Sequence, residues 1–225
     1  IDADGKLDIV EVNYDNSSDV KVYLNTTTAV GSISFSTATN LSTGAAEYKL
    51  RNVAISDLDG DGKADIAVVN NAGNVLLYRN TGSVGTVSFE TKVEVAAGTG
   101  PQGIMIGDID GDGLPDLAIT NADGGGTSIR VLRNTSTSGT LSFVNSGNFI
   151  TGSSPYDLAL GDLDGDGKLD IATANYSSKD VSVLLNTSTS GTVSFADKTD
   201  FAIGKSALKI AIGDLNGDGK LDVVV

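Results

Sequence analysis

Nine residues, Asp57-Leu-Asp-Gly-Asp-Gly-Lys-Ala-Asp65, place four carboxylates at positions 1, 3, 5 and 9, with a glycine at position 6. The pattern recurs at Asp108–Asp116 and Asp162–Asp170, and at Asp214–Asp222 with Asn216 replacing the second acid. A shortened copy, Asp2, Asp4 and Asp8, supplies positions 3, 5 and 9. Acids at alternate positions of a tight loop can turn their oxygens toward one centre, and the partner such a centre calls for is a hard cation. Ca²⁺ takes roughly six to eight oxygen ligands at about 2.3–2.6 Å. Positions 1, 3 and 5 offer side-chain oxygens, and position 7 offers a backbone carbonyl, from Lys6, Lys63, Leu114, Lys168 or Lys220. Position 9 closes the set with Asp8, Asp65, Asp116, Asp170 or Asp222. The glycine allows the sharp turn without a Cβ penalty.

The expected ligands are therefore Asp2, Asp4, Lys6 and Asp8; Asp57, Asp59, Asp61, Lys63 and Asp65; and Asp108, Asp110, Asp112, Leu114 and Asp116. Asp162, Asp164, Asp166, Lys168 and Asp170 form the next set, and Asp214, Asn216, Asp218, Lys220 and Asp222 the last. One Ca²⁺ per loop gives four to five in the chain. An EF-hand delays its last acid to position twelve and lies between helices. Here that acid comes three residues sooner and the flanks are β-like, which excludes the EF-hand. Asp-Gly is an ordinary hairpin pair. That accounts for one turn but not for four acids in fixed register through successive copies.

Composition agrees. Eighteen of the 29 acidic residues are aspartates of these loops, and five bound calcium ions would bring the net charge from −14 to about −4. The acidity is mostly ligand, and it opposes nucleic acid and anionic membranes as partners. Cysteine and histidine are both absent, which removes disulfides and the usual zinc, haem and thiol chemistry. No apolar run approaches the ~20 residues of a membrane-spanning helix. With 28 glycines and 40% hydrophobic residues, the chain reads as a turn-dense, folded β protein.

The elements that position the loops follow from the repeat. The closing aspartates Asp8, Asp65, Asp116, Asp170 and Asp222 are spaced by 57, 51, 54 and 52 residues. A period near fifty marks an array of stacked units that share a core. In one unit, Gly103–Asp108 leads into the loop and Leu117–Asn121 leaves it. Ser128–Arg133 follows a glycine-rich turn, and Leu141–Phe149 makes a fourth run. Apolar pairs two apart, Val20/Val22, Val75/Leu77, Ile129/Val131 and Val181/Val183, mark the buried face of each third strand. Asn25, Asn80, Asn134 and Asn186 end that strand, and Phe35, Phe89, Phe143 and Phe195 recur as expected core aromatics. Four antiparallel strands per unit is the arithmetic of a β-propeller blade. The fold class is all-β: four-stranded blades with the calcium loop between the first and second strands, in about four repeats plus a partial fifth over residues 1–225.

The run Gly161–Asn175 resembles the FG-GAP/VCBS-type repeat, which builds the propeller of integrin α subunits and of many secreted or surface bacterial proteins. The resemblance covers the whole chain. Phe-Gly and Gly-Ala-Pro themselves are approximated only, at Phe149–Pro155 and Thr99-Gly-Pro101, so the chain looks closer to the bacterial type. The resemblance implies structural calcium in the aspartate loops and an extracellular or cell-surface location. Residues 1–12 and 214–225 are versions of one segment, which a closed four-blade ring would need once. An excerpt of a larger propeller or array is the expectation.

The function expected is a calcium-stabilised binding or adhesion scaffold for a protein or carbohydrate ligand, without catalysis, nucleic-acid binding or membrane insertion. Two alternatives stand beside it: a subunit of an extracellular filament assembling head to tail, and part of a glycan-active secreted enzyme. The regularly spaced acids are taken by the loops, and Glu11, Glu47, Glu90, Glu94 and Asp157 carry no motif. Sequons at Asn16, Asn25, Asn40, Asn134, Asn175 and Asn186 would suit a glycoprotein. The competing reading of the strand-end asparagines is an ordinary turn.

Overall fold

A computed structural model describes residues 1–14, 19–44 and 48–225; Asn16 and Glu47 lie outside the described residues. The chain divides into two compact units, one of Ile1–Ala96 with Ser136–Leu141, the other of Ala97–Thr135 with Ser142–Val225.

In the first unit, β1 (Ile9–Val12), β2 (Asp19–Tyr23) and β3 (Thr39–Ser42) form an antiparallel sheet in sequence order. A four-stranded sheet follows, of β4 (Leu50–Ser56), β5 (Asp65–Asn70), β6 (Asn74–Tyr78) and β7 (Val93–Ala96), also in sequence order. Val20, Val22, Leu50, Ile66, Val68, Leu76 and Tyr78 are its core.

The second unit repeats the plan. One sheet holds β8 (Pro101–Gly107), β9 (Asp116–Asn121), β10 (Ser128–Asn134) and β11 (Phe143–Ile150). The next holds β12 (Pro155–Gly161), β13 (Asp170–Asn175), β14 (Asp180–Leu184) and β15 (Thr199–Ala202). A pair, β16 (Ala211–Gly213) and β17 (Asp222–Val224), follows. Among the described residues the one helical element is a single 3-10 turn at Asp123–Gly125, where the sequence has its glycine-rich turn. No helix among them is long and apolar enough to cross a membrane.

Burial explains which run becomes which strand. The second strands β5, β9 and β13 are buried at every residue, because each has a neighbour on both edges and packing on both faces. Their sequences, DIAVVN, DLAITN and DIATAN, are accordingly apolar on both faces. The fourth strands have a neighbour on one side, and β15 is exposed throughout. That position corrects the aromatic expectation. The phenylalanines stand beside the strand-end asparagines, as in the bridges Asn25–Phe35, Asn80–Phe89 and Asn186–Phe195. These are isolated bridges ahead of the last strand of each sheet, and Phe143 alone lies within such a strand. Phe89 and Phe195 pack half-buried against the cores, whereas Phe35 is exposed.

The glycine before the acidic loop has a packing reason. A Cβ on Gly107 would lie 2.7 Å from Leu169 Cδ1 and 2.9 Å from Leu160 Cδ1. Any larger residue there would have to push these two leucine side chains aside. The core of this unit is built on Ile109, Ala118, Ile129, Leu158 and Ile171, with Leu160 packed against it.

Candidate metal centres

Each acidic loop joins the first strand of a sheet to its second, and its backbone is wound around its own carboxylates. In the loop after β4, Asp57 Oδ1 accepts the N–H groups of Gly60 (2.8 Å) and Asp61 (3.1 Å), and Oδ2 accepts that of Gly62 (2.8 Å). Asp59 Oδ1 accepts from Asp61 N–H at 3.1 Å, and Asp61 Oδ1 from Lys63 N–H at 2.9 Å. Asp108–Asp112 and Asp162–Asp166 repeat these bonds. Position 7 is drawn in through its N–H, Leu114 to Asp112 and Lys168 to Asp166, both at 2.9 Å.

Two turns of left-handed backbone close each loop. The position-6 glycines Gly62, Gly113, Gly167 and Gly219 have φ of 85°, 91°, 87° and 83°. Position 4 is equally left-handed, at Gly60, Gly111, Gly165 and Gly217, and in the shortened copy a non-glycine, Ala3, holds φ 60° there. The sequence pattern drew attention to one glycine where the geometry uses two.

The closing aspartates are the floor. Asp65, Asp116 and Asp170 are fully buried. Oδ2 of each accepts the position-2 N–H, from Leu58 (2.9 Å), Ile109 (3.0 Å) and Leu163 (2.8 Å). Oδ1 accepts the backbone N–H of the strand-end asparagine, Asn80, Asn134 or Asn186, at 2.8 Å in each case. Burial first, and then the charges of Asp59 and Asp61, push Asp65 from 3.8 up to about 6. Asp116 is raised to about 6 by burial and by Asp110 and Asp112, and Asp170 is raised for the same reasons.

Carboxylate oxygens of Asp57, Asp59 and Asp61 come within 4.8 Å of one another. So do those of Asp108, Asp110 and Asp116, and of Asp162, Asp164 and Asp170. Among the described residues these are the groups of three acids that could hold a metal. In the copy at Asp214–Asp222, Asn216 removes one acid, but the winding persists, with Gly219 N–H on Asp214 Oδ2 at 2.9 Å and Leu215 N–H on Asp222 Oδ2 at 3.0 Å. Asp218 N–H donates to Asn216 Oδ1 at 2.9 Å, and Lys220 N–H to Asp218 at 2.9 Å. In the shortened copy, Asp2 accepts from Asp4 N–H (3.2 Å), Asp4 from Lys6 N–H (2.8 Å), and Asp8 from Asn25 N–H (2.8 Å). The donor set is all oxygen and strongly anionic, with raised carboxyls at its base, and it suits a hard divalent cation.

Without an ion, that electrostatic strain sets the pH response. The unfolded aspartate titrates near 3.8 and folded Asp65 and Asp116 near 6, so between these values the folded state binds more protons. Stability of the ion-free protein therefore falls as pH rises through this window. The expected result is a higher melting temperature at pH 5 than at pH 7 in chelator. A rise toward pH 7 would contradict it.

Residues outside the loops complete the sites. The asparagine that meets each closing acid also donates its side-chain amide to the position-8 carbonyl, Ala64 from Asn80 (2.9 Å), Pro115 from Asn134 (2.9 Å) and Leu169 from Asn186 (2.8 Å). Asn80 and Asn186 reach further, to the position-2 carbonyls of Ile1 (2.9 Å) and Ile109 (2.8 Å) in the preceding loops of their own units. Position 3 is capped by a turn glycine more than seventy residues away. Gly85 N–H meets Asp2 (2.7 Å), Gly139 meets Asp59 (2.8 Å) and Gly191 meets Asp110 (3.0 Å). Asp59 and Asp110 are buried beneath these caps, whereas Asp164 is exposed. The sequence signal for the caps was the recurrence of Gly85, Gly139 and Gly191 at near-constant spacing.

The glycosylation expectation is corrected at three sequons. Asn134, Asn175 and Asn186 are buried. The amide nitrogen that would carry a sugar is spent as a donor, in Asn175 to Asp180 and Ser182 at 2.8 Å each. Asn25 is half-buried and bonds Leu7 at 3.2 Å; Asn40 is exposed. The isolated acids are occupied. Glu11 accepts from Tyr23 (2.9 Å), Glu90 from Arg79 (3.0 Å) and Glu94 from Lys92, and Asp157 lies 3.5 Å from Lys209.

Models of the FG-GAP-like repeat match residues 1–68, 57–119, 108–173 and 166–225. The chain belongs to the FG-GAP-like repeat family. Each match to the FG-GAP-like repeat contains at least one acidic loop with the strands beside it, which agrees with the repeat read from the aspartates. A comparison with curated proteins found no match. Among solved structures, the chain is similar to rhamnogalacturonan lyase YesW, at 16% identity, over 93% of this chain and 48% of that one, with a TM-score of 0.47. The chain thus spans about half the length of that lyase.

Proposed function

We propose that this FG-GAP-like chain is a calcium-stabilised propeller-type scaffold, working outside the cell or on its surface, that binds a protein or carbohydrate partner and catalyses no reaction. The observation that carries the reading is the convergence of three acids in each complete loop, with the buried closing aspartate among them at Asp116 and Asp170 and beside them at Asp65. Calcium in these loops would be held by the aspartates at positions 1, 3, 5 and 9, and it would supply positive charge and a cross-link between strands. The protein's own residues supply the rest. Left-handed glycines wind the loop, the strand-end asparagines orient the closing acid, and turn glycines fix position 3.

The extracellular reading is supported by the affinity class to which such loops would belong. Calcium sites of extracellular modules bind with Kd of about 10⁻⁴–10⁻³ M, concentrations met outside the cell. The binding role rests on loops held by rigid sheets, where recognition surfaces concentrate. The test is saturable binding of the purified protein to arrayed glycans and matrix proteins at about 1 mM calcium, with loss in EDTA and recovery on recalcification. Turnover of a polysaccharide would replace this reading with an enzyme. Head-to-tail filaments that bind no array member would replace it with a structural subunit.

A further inference from the structure

One neighbour of the acidic loops changes its charge from copy to copy, the residue just before the strand-end asparagine. It is Leu24, Arg79, Arg133 and Leu185 in turn. Arg79 lies across its loop, with Nε 2.6 Å from Asp59 Oδ2 and an Nη 2.6 Å from Asp61 Oδ2. Its other Nη bonds Glu90 Oε1 at 3.0 Å, which fixes the guanidinium in place. Arg133 stands in the same position but further off, 4.0 Å from Asp110 and 3.5 Å from Asp112. Where Glu90 anchors Arg79, the corresponding residue beside Arg133 is Val144. Leu185 brings no charge to Asp162–Asp170, where among the described residues the only cation beside the acids is Lys168, 4.0 Å from Asp166 with both side chains open to solvent and so strongly screened.

We infer that Arg79 and Arg133 are built-in counter-cations that grade the calcium affinity of the three complete loops, lowest of the three at Asp57–Asp65 and intermediate at Asp108–Asp116. The inference rests on the calcium reading above. Arg79 takes the outer oxygens of Asp59 and Asp61, while their Oδ1 atoms and Asp57 still face the loop backbone. The loop can therefore still bind an ion, but one that meets a smaller net negative charge. A unit positive charge about 6 Å from a divalent ion, in a water-like dielectric, lowers affinity by on the order of tenfold. The same arginine relieves carboxylate repulsion when calcium is absent, so its loop holds its shape with less help from the ion.

The test uses the full chain and reads each loop separately. The position-6 amides of Gly62, Gly113 and Gly167 donate to the position-1 aspartates, so their NMR resonances report calcium entering their own loops. Leucine is the natural occupant of this position elsewhere in the chain, which makes Arg79→Leu a mild change. Arg79→Leu is expected to move the Gly62 midpoint to about tenfold lower calcium and to leave Gly167 unmoved. Leu185→Arg is expected to move the Gly167 midpoint the other way. A Gly62 midpoint that stays put or moves to higher calcium in Arg79→Leu overturns the inference while leaving calcium binding intact. If no glycine amide responds to calcium, the metal reading itself is overturned, and the inference with it.

Discussion

Chelation with EDTA is expected to lower the melting temperature by roughly 5–20 °C, and calcium to restore it. Mass action gives RT ln(1 + [L]/Kd), about 0.4–1.4 kcal/mol per site at 1 mM calcium for Kd of 10⁻⁴–10⁻³ M. Over four loops this is about 2–6 kcal/mol, and a domain of this size loses roughly 2–4 °C per kcal/mol. The two units should differ. The first holds one loop with all four acids, Asp57–Asp65, and that loop already has Arg79. The second holds Asp108–Asp116, Asp162–Asp170 and the Asn216-bearing loop. Amide exchange in EDTA should therefore accelerate more in β9 and β13 than in β5. Magnesium should restore little, because it requires a smaller octahedral site. Asp170→Ala should remove one bound calcium, and Asp123→Ala, in an exposed turn outside the loops, none. An unchanged melting curve in EDTA, with no metal in elemental analysis, would reduce the loops to ordinary turns.

Much of this arrangement was legible in the sequence, because the acids both do the chemistry and mark the period. Once Asp65, Asp116 and Asp170 are aligned, the strands follow. Gly103–Asp108 and Leu117–Asn121 are met by β8 at Pro101–Gly107 and β9 at Asp116–Asn121. The pairs Val20/Val22, Val75/Leu77 and Ile129/Val131 are fully buried as the alternation requires. What escaped is what depends on contacts between repeats. Gly139 reaches Asp59 across 80 residues and Gly191 reaches Asp110 across 81, separations for which no local spacing is diagnostic. Arg79 carries no motif in the sequence, which cannot say that its side chain folds back across the loop at Asp57–Asp65. Phe35 misled for a related reason. Its apolar character was visible, but not its place at an isolated bridge to Asn25, outside the strands of the sheet. The asparagines were read as turn formers, and they are: Ser188 N–H donates to Asn186 Oδ1 at 2.8 Å, and Gly82 N–H to Asn80 Oδ1 at 2.8 Å. Their amides carry the part that sequence hid.

Asn186→Ala is expected to cost roughly 3–5 kcal/mol, although it removes neither an apolar side chain nor a charge. Its Nδ2 satisfies two carbonyls at 2.8 Å, Ile109 and Leu169, and its Oδ1 satisfies the Ser188 N–H. Asn186 itself is buried, so water cannot take over these bonds without opening the site. A buried polar group left without a partner costs about 1–3 kcal/mol, and alanine strands three of them. Against a typical margin of ~5–15 kcal/mol this is a large fraction of stability. Asn186→Asp should be no better, since it removes both donors and sets a carboxylate against two carbonyl oxygens. Asn25→Ala is the contrast. Asn25 is half-buried, its Nδ2 has one exposed bond of 3.2 Å to Leu7, and its Oδ1 accepts Thr27 N–H at 3.0 Å. Because water can replace these partners, its loss should cost under about 1 kcal/mol. Urea unfolding of the three variants in calcium decides the matter; equal costs for Asn25→Ala and Asn186→Ala would refute the role. The bonds also couple two loops, because Leu169 is position 8 of one and Ile109 position 2 of the other. At temperatures where Asn186→Ala stays folded, the amides of Gly113 and Gly167 should both shift while that of Gly62 does not.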